Sequence, residues 1–207
     1  MSTTEVSAGP KTSKGQATRA RIVDAAAALV FERGVARTSL DDVGVAARVG
    51  KSQIYHYFAD KSSLISAVIE RQTDSVLAEL TPFSLDSWDA WSMWRIHMVA
   101  MQLDNQCAGG CPIGSIANEM ADFDEEARSI LVDSFDRWEK AFEQGIVAMR
   151  TEGLLRAEIE PNIVAAAILS SVQGGLLLCK TQKDTAPLEA SLDAAIAYLR
   201  SFAAGRA

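Results

Sequence analysis

The sequence predicts an all-α protein in two parts, a small three-helix head and a larger helical body, with about nine helices in all. Three observations carry this expectation. Apolar residues recur at three- and four-residue steps, as in Ile22, Ala25/Ala26, Leu29 and Val30, or Leu64, Ile65, Val68 and Ile69, which is the period of a helix with one buried face. Capping residues stand where such runs begin, Ser39 with Asp42 three positions on and Asp60 before the Leu64 run, in the manner of N-terminal helix signals. No segment shows the strict alternation of a half-buried strand.

Taken in order, residues 1–16 are rich in Ser, Thr, Gly and Lys and read as a flexible arm. A first helix is expected from Ala17 until Gly34 stops it. A short second helix follows Thr38/Ser39 through Leu40, Val43 and Ala47, and a third runs from about Gly50 or Lys51 to Phe58. Asp60 then caps a longer helix that reaches toward Pro82. Five more are expected at about Asp86–Asn105, Pro112–Ala121, Asp124–Glu152, Asn162–Thr181 and Pro187–Ala204. Ala108-Gly109-Gly110, Asp122-Phe123, Glu152-Gly153 and Lys183-Asp184 break the chain between them. The head spans 17–64, with its fourth helix continuing to about 81, and the body 65–207.

With 48% hydrophobic against 23% charged residues, the 207-residue chain is globular. No apolar run is read as reaching the ~18 residues of a membrane span, and the polar start lacks a signal-peptide core. The expected location is the cytoplasm, with no membrane partner. Cys107, Cys111 and Cys179 form an odd set unsuited to a disulfide framework. His56 and His97 are too few and too scattered to build a metal site with them, so neither metal nor cofactor is expected. The net charge of −7 is unevenly spread: residues 1–64 hold nine Lys/Arg against six acids, the rest eleven against twenty-one. A basic head on an acidic body fits a local anion-binding surface, although ordinary fluctuation of solvated charge accounts for it equally well.

Gly50-Lys51-Ser52 invites comparison with a phosphate-binding P-loop. That motif needs glycine five residues before Gly50, where Val45 stands, and it must follow a strand, whereas Ser39–Ala47 is patterned as a helix. The nucleotide-loop reading fails on both counts. Two short helices behind a longer one instead match a helix-turn-helix, whose second helix presents its N-terminal residues to the DNA major groove. On that second helix Lys51, Ser52, Gln53, Tyr55 and His56 share the exposed side, while Ile54 and Phe58 face the core. Lysines neutralise phosphates, tyrosine hydroxyls donate to them, and Gln53 has the amide geometry to read an adenine edge. Tyr55 and Tyr57 fit either DNA contact or the small core.

The run Thr38-Ser39-Leu40-Asp41-Asp42-Val43, with Ala46 through Lys61 (AARVGKSQIYHYFADK), resembles the DNA-binding domain of TetR-family transcriptional repressors. The likeness is strongest over about Ala17–Leu64. It implies a dimeric repressor, released from a palindromic double-stranded operator by a small molecule, and no enzyme. The resemblance implies DNA contacts for Lys51, Ser52, Gln53, Tyr55, His56 and Lys61 and a backbone contact near Thr38, and Arg48 and Tyr57 join them as candidate DNA-binding residues. Two positions depart from the family: Arg48 replaces the usual turn glycine, and Gly50 the usual capping serine. Either Arg48 takes a left-handed conformation or the turn shifts toward Gly50. Gly44 inside the second helix costs on the order of 1 kcal/mol relative to Ala.

In the body, Asn162–Thr181 is apolar and small, and with Leu188, Leu192, Ile196 and Leu199 it suits a four-helix dimer interface over about 162–204, or else an intramolecular core. Trp88, Trp91, Trp94, His97, Met98 and Met101, with Phe135 and Trp138, read as core or as the lining of a pocket for an apolar or flat effector. No nucleophile–base set accompanies them, which weighs against catalysis. Cys111 precedes Pro112 at a helix start, where unpaired amides and the helix dipole favour a lowered thiol pKa. The segment, together with Lys180, is similar to TetR-family members that sense electrophiles through a cysteine, and this implies Cys111 as sensor and Lys180 as its partner. A small buried residue at a helix start is the plainer alternative.

Overall fold

The computed structural model describes residues 12–205, so most of the arm expected over 1–16 lies outside them. Among the described residues there are nine helices: α1 Ser13–Arg33, α2 Leu40–Ala47, α3 Lys51–Tyr57, α4 Lys61–Leu80, α5 Trp88–Asp104, α6 Pro112–Met120, α7 Glu125–Thr151, α8 Pro161–Gln182 and α9 Ala186–Arg200. Two ends differ from expectation. The first helix starts at Ser13 rather than Ala17, because the Thr12 hydroxyl accepts from the Gly15 amide and caps it. The last stops at Arg200 instead of Ala204. Beyond it the chain turns back, Arg156 N–H donating to Phe202 O and Ala204 N–H to Leu154 O, around an isolated bridge between Leu155 and Ala203.

The predicted caps form. The Ser39 hydroxyl accepts from Asp42 N while Asp42 accepts from Ser39 N, and Asp60 with Ser63 repeats this reciprocal arrangement at α4. Helices α1, α2 and α4 pack together around Ile22, Ala26, Val30, Val43 and Val68, all buried. Helix α4 is common to both parts, since it lies against α1 at one side and α7 at the other. A buried hydrogen bond from Thr73 Oγ1 to Ser134 Oγ at 2.8 Å ties α4 to α7. In the body, Trp91 and Trp94 of α5 close on Phe142 of α7, and α8 packs along α9.

Helix α8 is, by length and composition, apolar enough to cross a membrane, contrary to the expectation that no run is. Its apolarity has a local cause: Val164, Ile168, Val172, Leu176 and Cys179 are buried inside the protein.

Candidate nucleic-acid interface and body cavity

The head builds its outward face from a tight turn. Arg48 ends α2 in the left-handed region (φ 54°, ψ 48°), and its amide donates back to Val45 O. Gly50, at φ −75°, opens α3 without any side-chain cap. The turn is therefore made at Arg48 and does not shift to Gly50. Gly44 has a packing reason: a Cβ there would lie 3.2 Å from both Ile54 Cδ1 and Val49 O, so the two helices of the motif cross on bare backbone. With Ile54 and Phe58 buried, Lys51, Ser52, Gln53, Tyr55 and His56 are exposed together on α3, and Tyr57 is half-buried. Arg48 is exposed beside them. Lys51 Nζ lies 3.3 Å from Asp41 Oδ1, with both side chains largely in solvent. Such an exposed pair is weak and readily exchanged for a phosphate.

Two residues assigned to DNA by resemblance are hydrogen-bonded within the head. Thr38 is buried, and its hydroxyl donates to Gly34 O at 2.8 Å, which closes the end of α1. Lys61 is half-buried, and its ammonium donates to Val35 O at 2.7 Å. Both hold the α1–α2 corner. A hydroxyl or an ammonium in a sequence does not declare whether a carbonyl or a phosphate will receive it.

That corner is also where body meets head. Glu119, near the end of α6, accepts from Val35 N at 3.1 Å with one carboxylate oxygen and from Ala36 N at 3.0 Å with the other. Asp124, which caps α7, accepts from Ser62 Oγ of α4 at 2.8 Å. The Ala127 amide and then Ser62 hold the Asp124 carboxyl below its usual range. Phe31 of α1 lies over Gly109 so closely that a Cβ at 109 would fall 1.8 Å from the ring, and only glycine serves there, at φ 78°. Neither Phe31 nor Glu119 was signalled by the sequence, because each matters only through a distant partner.

Above the corner a cavity of about 210 Å³ opens between α4, α5, α7 and the start of α6. Val76, Leu80, Met98, Met101, Trp138 and Leu176 supply apolar wall, and Phe31 reaches it from the head. Gln72, Ser75, Glu79, Gln102, Asn105 and Cys111 are the lining residues with polar side chains. Trp138 Nε1 and Gln102 Oε1 are buried with no hydrogen-bond partner, each a cost of about 1–3 kcal/mol unless something in the cavity meets it. Gln102 was legible as a polar residue four places after Met98 on an otherwise apolar stripe.

Of the proposed pocket residues, Met98, Met101 and Trp138 line this cavity, whereas Trp88, Trp91, Trp94, His97 and Phe135 do not. Trp91 and Trp94 are fully buried core, stacked edge to face at 5.6 Å. Trp88 lies under the Arg200 guanidinium, 5.3 Å from the ring centre, and His97 is bonded to Glu79 at 2.9 Å. Phe135 faces a separate outer groove that Cys111 and Lys180 also line, so the structure brings those last two to one place. Cys111 is the N-cap of α6, and its sulfur accepts from Gly114 N. Its thiol is nevertheless raised, not lowered, because burial outweighs the amide contacts. Cys179 is pushed up to about 12 by burial and by the neighbouring Cys107 thiol.

A helix-turn-helix head joined by a shared helix to a larger helical body is the build of a DNA-binding transcriptional regulator. Comparison with known proteins agrees. Residues 22–68 match the bacterial regulatory proteins of the tetR family, and residues 92–193 match the C-terminal domain of LmrA/YxaF-like transcriptional regulators. The chain belongs to the TetR family of transcriptional regulators, as its sequence suggested. It is 25% identical over 175 residues to the HTH-type transcriptional repressor DhaR of Mycobacterium sp. (strain GP1), covering 83% of this chain and 86% of that one. To the regulator YxaF of Bacillus subtilis it is 28% identical over 181 residues, or 86% and 92% of the two chains. A TetR-family regulator from Cytophaga hutchinsonii shares the fold with a TM-score of 0.81, at 20% identity over 95% of this chain and 100% of that one.

Proposed function

We propose that this regulator is a dimeric repressor that leaves a palindromic operator when a small molecule enters the body cavity. The observation that carries the reading is the row Lys51, Ser52, Gln53, Tyr55 and His56, exposed together while Ile54 and Phe58 anchor the same short helix. Gln53 is assigned to a base edge, Lys51, Arg48 and Tyr55 to phosphates, and Thr38 and Lys61 to holding the corner behind them. The dimer forms through α8 and α9, which leave Ile163, Leu177, Leu178 and Tyr198 exposed, and the protein acts in the cytoplasm. Phe31, Gly109 and Glu119 link cavity to head, so filling the cavity shifts the α1–α2 corner. The two recognition helices then lose the spacing of about 34–36 Å that successive half-sites require. A reversibly bound effector suits the buried, raised thiol of Cys111 better than covalent sensing does.

The test is DNA binding to the regulator's own upstream region across a salt series. Affinity should fall steeply with salt. Lys51→Ala should weaken all DNA alike and reduce the salt slope by about 1, whereas Gln53→Ala should cost about 1–3 kcal/mol on the operator alone. Equal affinity for operator and random DNA overturns the reading.

A further inference from the structure

We propose that the body cavity takes an uncharged, single-ring-sized molecule bearing a hydroxyl, of the phenol class, and that Trp138 and Gln102 recognise that hydroxyl. The inference rests on the reading of this cavity as the effector site and adds its chemistry. Size comes first. An apolar protein cavity of about 150 Å³ holds benzene, so about 210 Å³ leaves room for a ring with a short substituent.

Charge narrows the class. No lysine or arginine lines the cavity, so a carboxylate or phosphate entering it would find no counter-charge. Glu79 is the one carboxylate in the lining, and His97 already occupies it at 2.9 Å. Burial keeps the Cys111 thiol protonated and neutral. Gln72, Ser75 and Asn105 add neutral polar groups to a wall that is otherwise aliphatic, thioether and aromatic, with Met98 and Met101 adaptable to a flat ring.

Two unmet polar atoms supply the specificity. Trp138 Nε1–H needs an acceptor and Gln102 Oε1 needs a donor, and a hydroxyl group is both. Trp91 and Trp94 also have unpartnered indole nitrogens, but they lie outside the cavity and stack edge to face on aromatic neighbours. Trp138 and Gln102 are the two lining residues of this cavity with an unmet buried polar atom, and Gln173, whose Nε2 is also unmet, lines the separate outer groove.

The experiment titrates the full chain by calorimetry with 4-ethylphenol, ethylbenzene, 4-ethylbenzoate and 4-ethylbenzylamine, which differ little in shape. The phenol should bind about tenfold more tightly than ethylbenzene, and both ions more weakly than either. Trp138→Phe should reduce the phenol preference to within about threefold while leaving ethylbenzene affinity in place. Gln102→Leu provides the same comparison without altering a large core ring. Equal affinity for the two neutral probes, tightest binding by an ion, no binding of either neutral probe, or a preference intact in both variants overturns the proposal. Operator release is measured separately. A phenol preference without release removes the effector reading and leaves the ligand class standing. Release by other compounds with no phenol preference does the reverse.

Discussion

Arg48 carries a conformational cost of about 1–2 kcal/mol, since a side chain in the left-handed region crowds its own carbonyl. Arg48→Gly should therefore raise the unfolding free energy by about 0.5–1 kcal/mol, after the extra chain entropy of glycine is allowed for. Chemical denaturation measures this, and an unchanged or lower stability would show that the arginine makes compensating contacts. The same variant should bind DNA more weakly, because it removes an exposed cation next to α3. At this scale the sequence is informative where side-chain period decides. The buried pair Ile54 and Phe58 and the exposed row around them follow from a spacing of four. It is uninformative where a polar group must choose a partner, as Thr38 and Lys61 show by turning to the backbone of residues 34 and 35.

Helix α2 is eight residues long and is held at its start by one capping box. So short a helix depends on its cap and its packing more than on propensity. Ser39→Ala should destabilise the protein by about 1 kcal/mol. Its pH dependence follows from Asp42, whose carboxyl is lowered from 3.8, first by the Ser39 hydroxyl and backbone amide and then by Arg33. A carboxylate with a depressed folded value contributes stability above its unfolded value and loses it as pH falls through the folded one. The gap between wild type and Ser39→Ala should accordingly narrow below about pH 3.8, read from thermal unfolding at successive pH values. A gap constant down to pH 2 would place the cap's contribution outside Asp42. Helix starts were legible because such caps are local and chemically specific. The exceptions were the Thr12 start of α1, hidden by the small polar residues around it, and the end of α9, set by pairing with residues 154–156 far back in the chain.

For the whole molecule, α8 and α9 leave an outward strip with Leu177 56% exposed and Tyr198 42% exposed. Leu177→Glu should leave the fold of one chain intact, because the side chain faces away from its core, but should convert a dimer to a 22.3 kDa monomer in sedimentation or light scattering. Operator affinity should fall with it, since one head reads one half-site. A Leu177→Glu protein that remains dimeric would move the interface to another surface. The cavity was the least legible feature of the chain. Its wall draws on α4, α5, α6, α7, α8 and one residue of α1, and no periodic pattern in any single helix reveals which of them will meet around empty space.

The Phe31 contact has a consequence for how such a molecule could be repurposed. Phe31 is the one residue of α1 in the cavity lining, while Val76, Met98, Met101, Gln102 and Trp138 sit on α4, α5 and α7. On the proposed reading of the cavity as effector site, input chemistry and output linkage are written on different helices. An engineer building a biosensor could redesign the wall on those three helices toward a new analyte while leaving Phe31, Gly109 and Glu119 untouched, and the redesigned receptor would inherit its connection to the promoter unaltered.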